Sequence, residues 1–184
     1  HESPAYPGTE FTISPFVQWK HRFSQHWVLN ANGTYSIQKR LNGVTQKDFT
    51  YRLSMSYIHS DRFNVKLLYG RSAFPIPYVY RNKIPALPIV IFSEEPQSLH
   101  SDTWQLNTTW HISRRCQFNA AVYYNYYSNM FDWRMGGTEA LKNEGRFGAI
   151  GVETQLDVNL PRFMLNLNTA YSRSLFEEHY KMIE

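Results

Sequence analysis

The chain has 184 residues, a formal net charge of +4, a mean hydropathy of −0.49 and an aromatic content of 16 %. That length fits one domain; the single cysteine, Cys116, excludes an internal disulfide and a cysteine metal site, and no apolar run reaches the ~18 residues of a membrane helix. Lys39-Arg40 and Arg114-Arg115 are the adjacent basic pairs, so the positive charge is too dispersed to mark a nucleic-acid partner.

Residues 1–10 are polar, contain Pro4, Pro7 and Gly8, and read as a loop or unanchored end. A first strand is predicted over 11–22, with Ile13, Val17 and Trp19 on one face and Ser14, Gln18 and Lys20 on the other. Pro15 within it predicts an edge position or a bulge. After a tight connection at 23–26, Trp27, Leu29, Ala31, Gly33, Tyr35 and Ile37 alternate with Val28, Asn30, Asn32, Thr34, Ser36 and Gln38. Residues 41–48 form a longer connection carrying the turn signal Asn42-Gly43. In the third strand Phe49, Tyr51, Leu53, Met55 and Tyr57 oppose Arg52, Ser54 and Ser56. A turn at 59–62 leads to the fourth, where Phe63, Val65, Leu67 and Tyr69 alternate with Asn64, Lys66, Leu68 and Gly70.

The connection 72–101 contains Pro75, Pro77, Pro85, Pro88 and Pro96. Its apolar core is broken by proline, so it reads as a folded surface loop with a short strand at 89–92. Four more amphipathic strands follow. Trp104, Leu106, Trp110 and Ile112 oppose Gln105, Asn107, Thr109 and His111; Phe118, Ala120, Val122, Tyr124 and Tyr126 oppose Asn119, Ala121, Tyr123, Asn125 and Tyr127. Ile150, Val152, Leu156 and Val158 then oppose Glu153, Gln155, Asp157 and Asn159, and Phe163, Leu165, Leu167 and Tyr171 oppose Asn166, Asn168 and Ser172.

The pattern predicts an all-β chain: an antiparallel up-and-down meander of about eight amphipathic strands, part of a transmembrane β-barrel. A hydropathy scan is blind to such strands because only every second residue is apolar. The same alternation fits a soluble β-barrel binding protein with its apolar face inward; residue type and loop pattern separate the two. One side is rich in aromatics and the other in Asn and Gln, and tight connections near Ser24, Ser60, Ser113 and Leu160 alternate with longer ones near Gly43, Pro85 and Gly137. On this reading Trp104, Leu106, Phe118, Val122, Ile150, Leu156, Leu165 and Leu167 point outward to lipid. Both chain ends fall on the long-loop side, which predicts an interior slice of a larger barrel rather than a stand-alone eight-stranded barrel serving as anchor or adhesion protein.

Several segments together resemble the TonB-dependent outer-membrane receptors. Tyr69-Gly70-Arg71-Ser72-Ala73-Phe74 is similar to the strand end that precedes a long loop in that family, and Ser101-Asp102-Thr103-Trp104-Gln105-Leu106 to the next strand start. Residues 118–129 resemble its aromatic-Tyr-Asn-x-Tyr strand, 143–156 its Asn…Gly-Val-Glu strand, and 165–172 its Ala-Tyr-Ser strand. The chain departs from the pattern at Leu99 and His100, where the family carries Pro-Glu. The resemblance covers the chain from about Phe49 onward. It implies that residues 1–184 are part of a barrel of roughly 22 strands around a plug, with plug and terminal strands outside this stretch. It further implies a location in the outer membrane of a Gram-negative bacterium and uptake of a siderophore or other nutrient. The implied partners are outer-membrane lipid, the plug and TonB complex through the full-length receptor, and a small ligand such as an iron chelate.

Catalytic and metal chemistry find little support. Asp102, His111 and Ser113 would have to act together from opposite ends of one strand, and the seven histidines lack ligand spacing. No enzyme activity, metal or cofactor is expected. Arg52, Lys66, Glu153 and Asp157 face the predicted interior, either as solvated or mutually paired charges or as contacts for plug or solute. Tyr78, Tyr80, Arg81, Trp133 and Arg134 lie in predicted long loops, where they either hold a ligand or pack among themselves.

Overall fold

The structure is a computed structural model that describes residues 9–39, 45–75, 91–92, 97–133 and 140–178. The strands are β1 (Phe11–Ile13), β2 (Phe16–Arg22), β3 (Trp27–Lys39), β4 (Thr45–Ser60), β5 (Phe63–Phe74), β6 (Ile91–Phe92), β7 (Leu99–Ser113), β8 (Cys116–Trp133), β9 (Ala140–Leu160) and β10 (Phe163–Glu178). All belong to one sheet in the order β1-β3-β4-β5-β7-β8-β9-β10, with β2 also on β3 and β6 beside β9. The long neighbours pair antiparallel in sequence order, as the alternation and connections predict.

β1 and β2 are one strand interrupted in its hydrogen bonding. Ile13 pairs with Ile37 and Phe16 with Thr34, so the register continues unbroken through Ser14 and Pro15. Proline has no N–H to donate, but its carbonyl accepts from the Tyr35 amide at 3.0 Å. An edge strand tolerates that missing donor, so the edge position holds and no bulge is needed.

Pairing carries several strands past their predicted ends. β4 begins at Thr45 because 45–48, read from sequence as connection, continue the ladder opposite Ser36 to Lys39. β5 reaches Phe74 and β7 starts at Leu99, which shortens the predicted 72–101 connection at both ends. The short strand expected at 89–92 is β6, and it pairs parallel with Ala140 and Leu141. β8 and β9 span 18 and 21 residues, well above the roughly 9–11 that cross a bilayer. In β8 the register breaks between Tyr127 and Met130, and Asn129 takes a φ of 58°, a left-handed conformation that asparagine accepts more readily than most residues.

The turns at 24–26, 61–62, 114–115 and 161–162 lie along one edge of the sheet. The row starting at Trp27, beside the first turn, runs through Tyr57, Val65, Thr108 and Ala120 to Thr154, six residues short of Leu160 at the last turn. Each strand is thus displaced by about one residue from its neighbour, the stagger that tilted barrel strands require.

Burial follows the faces. Among the described residues Val28, at 6 % exposure, is the one buried hydrophobic side chain. Leu29, Met55, Leu67, Leu106, Val122 and Val152 share one register row on the apolar face. Aromatic groups flank this row on both sides: Trp27, Tyr57, Phe63, Trp110 and Phe118 toward the turns, Tyr51, Tyr69, Trp104, Tyr124 and Tyr126 toward the other edge. Two girdles around an aliphatic band match the outside of a membrane barrel. The arrangement is the reverse of a soluble barrel, whose apolar face would fill its interior.

Candidate functional site

The polar face curves around a hollow of about 460 Å³ lined by Gln105, Asn107, Asn119, Glu153, Gln155 and Asn168, among others. Strand parity puts these residues on one side, so the sequence pattern alone makes the wall; curvature of the sheet makes it concave. Amides two residues apart stand side by side on a strand face, and they bond to each other. Gln105 Nε2 donates to Asn107 Oδ1 at 2.9 Å, Gln117 Nε2 to Asn119 Oδ1 at 3.1 Å, and Gln155 Nε2 to the Asp157 carboxylate at 2.9 and 3.1 Å. Asn166 donates to Asp157 from the neighbouring strand and accepts from Asn168. This lattice links neighbouring side chains along the wall and presents a polar surface suited to hydrophilic solutes or a polar protein segment.

The four interior charges separate into two kinds. Asp157 is held by the amides just described. Arg52, Lys66 and Glu153 make no ion pair or side-chain hydrogen bond among the described residues. Lys66 and Glu153 occupy one register row, Ser56–Lys66–Asn107–Ala121–Glu153, but stand three strands apart. That separation is roughly 14 Å at the usual strand spacing, too far for the mutual pairing considered from sequence. Arg52 lies toward the long-connection edge, in the row of Gly70, Thr103 and Asn125.

A second polar group, missed by the sequence reading, lines the rim of the same face. Ser98 donates to the Asp48 carboxylate at 3.0 Å, Gln38 Nε2 lies 3.5 Å from Glu10 Oε2, and both amide atoms of Gln46 are buried without a hydrogen-bond partner among the described residues. Asn129, at the bulge, donates to the Ser98 carbonyl at 3.2 Å and so ties β8 to the start of β7. Pairing of residues 45–48 with β3, invisible in the alternation, is what brings Gln46 and Asp48 here.

Of the loop candidates, Tyr78, Tyr80, Arg81 and Arg134 lie outside the described residues, as does the Trp133 side chain. The Trp133 backbone pairs with Leu141, next to the Ala140 to which Ile91 of β6 is joined. Asp102 and His111 sit at opposite ends of β7, and Asp102 is committed to Arg71, so the imagined triad does not assemble. His26, expected at a turn, uses Nδ1 to contact the Ile58 carbonyl at 2.7 Å, which joins neighbouring hairpins. No group of three or more metal-ligating side chains occurs among the described residues.

No family model and no curated protein matches the sequence. Solved structures do match the fold. The FrpB iron transporter of Neisseria meningitidis aligns with a TM-score of 0.72 at 9 % identity, over 90 % of this chain and 25 % of that one. The ferric yersiniabactin uptake receptor FyuA of Yersinia pestis gives 0.60 at 15 % identity, over 90 % and 27 %. The copper transporter OprC gives 0.64 at 11 % identity, over 89 % and 28 %. This chain spans about a quarter of the length of these proteins. It has the fold of a segment of a TonB-dependent receptor barrel, as the sequence motifs implied.

Proposed function

We propose that a chain with this fold forms part of the wall of an outer-membrane receptor that takes up a siderophore, metal chelate or similar nutrient by TonB-dependent transport. The observation that carries the reading is the division of one sheet into two faces. The convex face is aliphatic between two aromatic girdles, and the concave face is an amide-rich wall with a hollow. The likeness to iron and copper transporters adds support at the level of fold. In this reading Arg52, Lys66 and Glu153, which lack partners among the described residues, meet the plug or the passing solute. Tyr78, Tyr80, Arg81, Trp133 and Arg134 are the candidates for holding the ligand at the mouth. Coupling to the TonB complex runs through the plug of the full-length receptor. No bond of the cargo changes, so the role is transport rather than catalysis.

Tryptophan quenching by brominated lipid tests the assignment. Trp104 and Trp110 lie on the apolar face at 41 % and 50 % exposure and should be quenched in bilayers. Emission of both insensitive to bromine depth would sink the membrane reading.

A further inference from the structure

The two edges of the sheet differ in how their charges are treated. At the long-connection edge Arg71 pairs with Asp102 at 2.8 Å and Arg146 with Glu178 at 3.9 Å. At the turn edge Arg62, Arg114, Arg115 and Arg162 are all exposed, and none has an ion-pair partner among the described residues. Each of the three two-residue turns ends in arginine: Asp61-Arg62, Arg114-Arg115 and Pro161-Arg162. Asp61 is the one acid within these turns.

The backbones of two of these turns are tied to a neighbouring hairpin. The Arg62 carbonyl accepts from the His111 amide and the Arg115 carbonyl from the Asn159 amide, both at 2.7 Å, which ties each turn to the next hairpin. Successive turns lie two strands apart, roughly 10 Å at the usual spacing. Directly beside them on the apolar face come Phe63, Trp110, Ile112, Phe118 and Phe163. A regular row of unpaired guanidinium groups therefore borders an aromatic girdle. Guanidinium carries a fork of donors that matches the oxygens of a phosphate, and an aromatic girdle marks the headgroup level of a bilayer.

We infer that the turn edge is a docking surface for the phosphate groups of anionic phospholipids in the leaflet that faces the turns. The inference rests on the membrane reading above and adds a lipid preference to it. Phosphates bound along the row anchor the sheet at a fixed depth and supply the countercharge that the turns lack.

The test uses the segment within its complete barrel and vesicles of phosphatidylcholine alone or with phosphatidylglycerol, at low salt, with tryptophan emission reporting partition. Partition should be roughly a hundredfold stronger with phosphatidylglycerol, since each basic residue near an anionic surface contributes up to about fivefold. The variant R62Q/R114Q/R115Q/R162Q should lose that preference and still enter phosphatidylcholine. The corresponding fourfold lysine variant should keep most of it, which guards against a folding defect in the glutamine variant. A control at the other edge, K39Q/K47Q/R146Q, should leave it unchanged.

Equal partition of the complete barrel with the parent arginines into both vesicles would overturn the inference while leaving the membrane reading intact. Failure to enter either vesicle would overturn both. Arginine-dependent binding of polyglutamate without a phosphatidylglycerol preference would indicate an acidic protein partner and also overturn it.

Discussion

Arg71 on β5 and Asp102 on β7 face each other across the sheet and form a two-point ion pair, Nε to Oδ1 at 2.9 Å and Nη2 to Oδ2 at 2.8 Å. Asp102 is 3 % exposed and also accepts from the Tyr69 hydroxyl at 3.0 Å, which in turn lies 3.1 Å from Tyr51. The pair sits on the apolar face, one step beyond the stacked rings of Tyr69 and Trp104. The charge pair marks where the apolar band ends, and in the proposed membrane setting it stays clear of the bilayer centre, where the same groups would be costly.

Asp102→Ala should destabilise the folded barrel by about 2–4 kcal/mol, because it strands Arg71 and removes the acceptor of Tyr69. Tyr69→Phe, which removes one hydroxyl, should cost about 1 kcal/mol. Urea unfolding in lipid vesicles with the segment in its complete barrel measures both. Equal effects for the two variants would count against the network as described.

Leu106 and Asn107 are adjacent and face opposite sides. Leu106→Arg at the middle of the aliphatic row should cost roughly 2–4 kcal/mol in a bilayer, whereas Asn107→Arg on the hollow should cost little. The same unfolding assay compares them, and a reversed order would mean that the faces are inverted.

Among the interior charges, Asp157→Ala should cost about 1–2 kcal/mol, since Gln155 and Asn166 lose their acceptor. Lys66→Gln and Glu153→Gln should leave stability within about 0.5 kcal/mol; under the transport role proposed above, their effect falls instead on solute uptake by the complete barrel. A stability loss for either of the latter as large as that of Asp157→Ala would reveal a structural role.

Two glycines make contrasting predictions. A Cβ at Gly148 would fall 2.4 Å from the Phe176 ring, the far end of a side chain that can swing aside, while one at Gly145 would meet Met130 Cβ at 3.0 Å and its carbonyl oxygen at 3.2 Å. Gly145→Ala should therefore cost more than Gly148→Ala, by about 1 kcal/mol or above. Thermal mobility shift on gels, with the segment in its complete barrel, ranks the two variants.

Among the described residues β10 carries one unpaired edge, and the edge formed by β1 and β2 carries another. Each backbone group left unpaired in hydrocarbon costs several kcal/mol. Refolded alone into detergent micelles, the chain should associate edge to edge rather than migrate as a heat-modifiable monomer. A monomeric heat-modifiable form with strand-type circular dichroism would show that the sheet closes on itself.

The sequence by itself determined the strands, their order and their two faces. Period-two alternation is a local property, and tight turns such as Asp61-Arg62 leave antiparallel neighbours no other partner. Parity alone therefore put Leu106 with Val122, and Lys66 with Glu153, on their respective sides. The tertiary structure decided what depends on register and curvature. Register set how far each strand runs, which brought Gln46 and Asp48 into the ladder and the rim although no alternation marks them. It also put Arg71 opposite Asp102, 31 residues away, and held Lys66 apart from Glu153 on the same row. Curvature chose the polar side as the concave one, because strand stagger and sheet twist accumulate over many residues and no single segment encodes their sum.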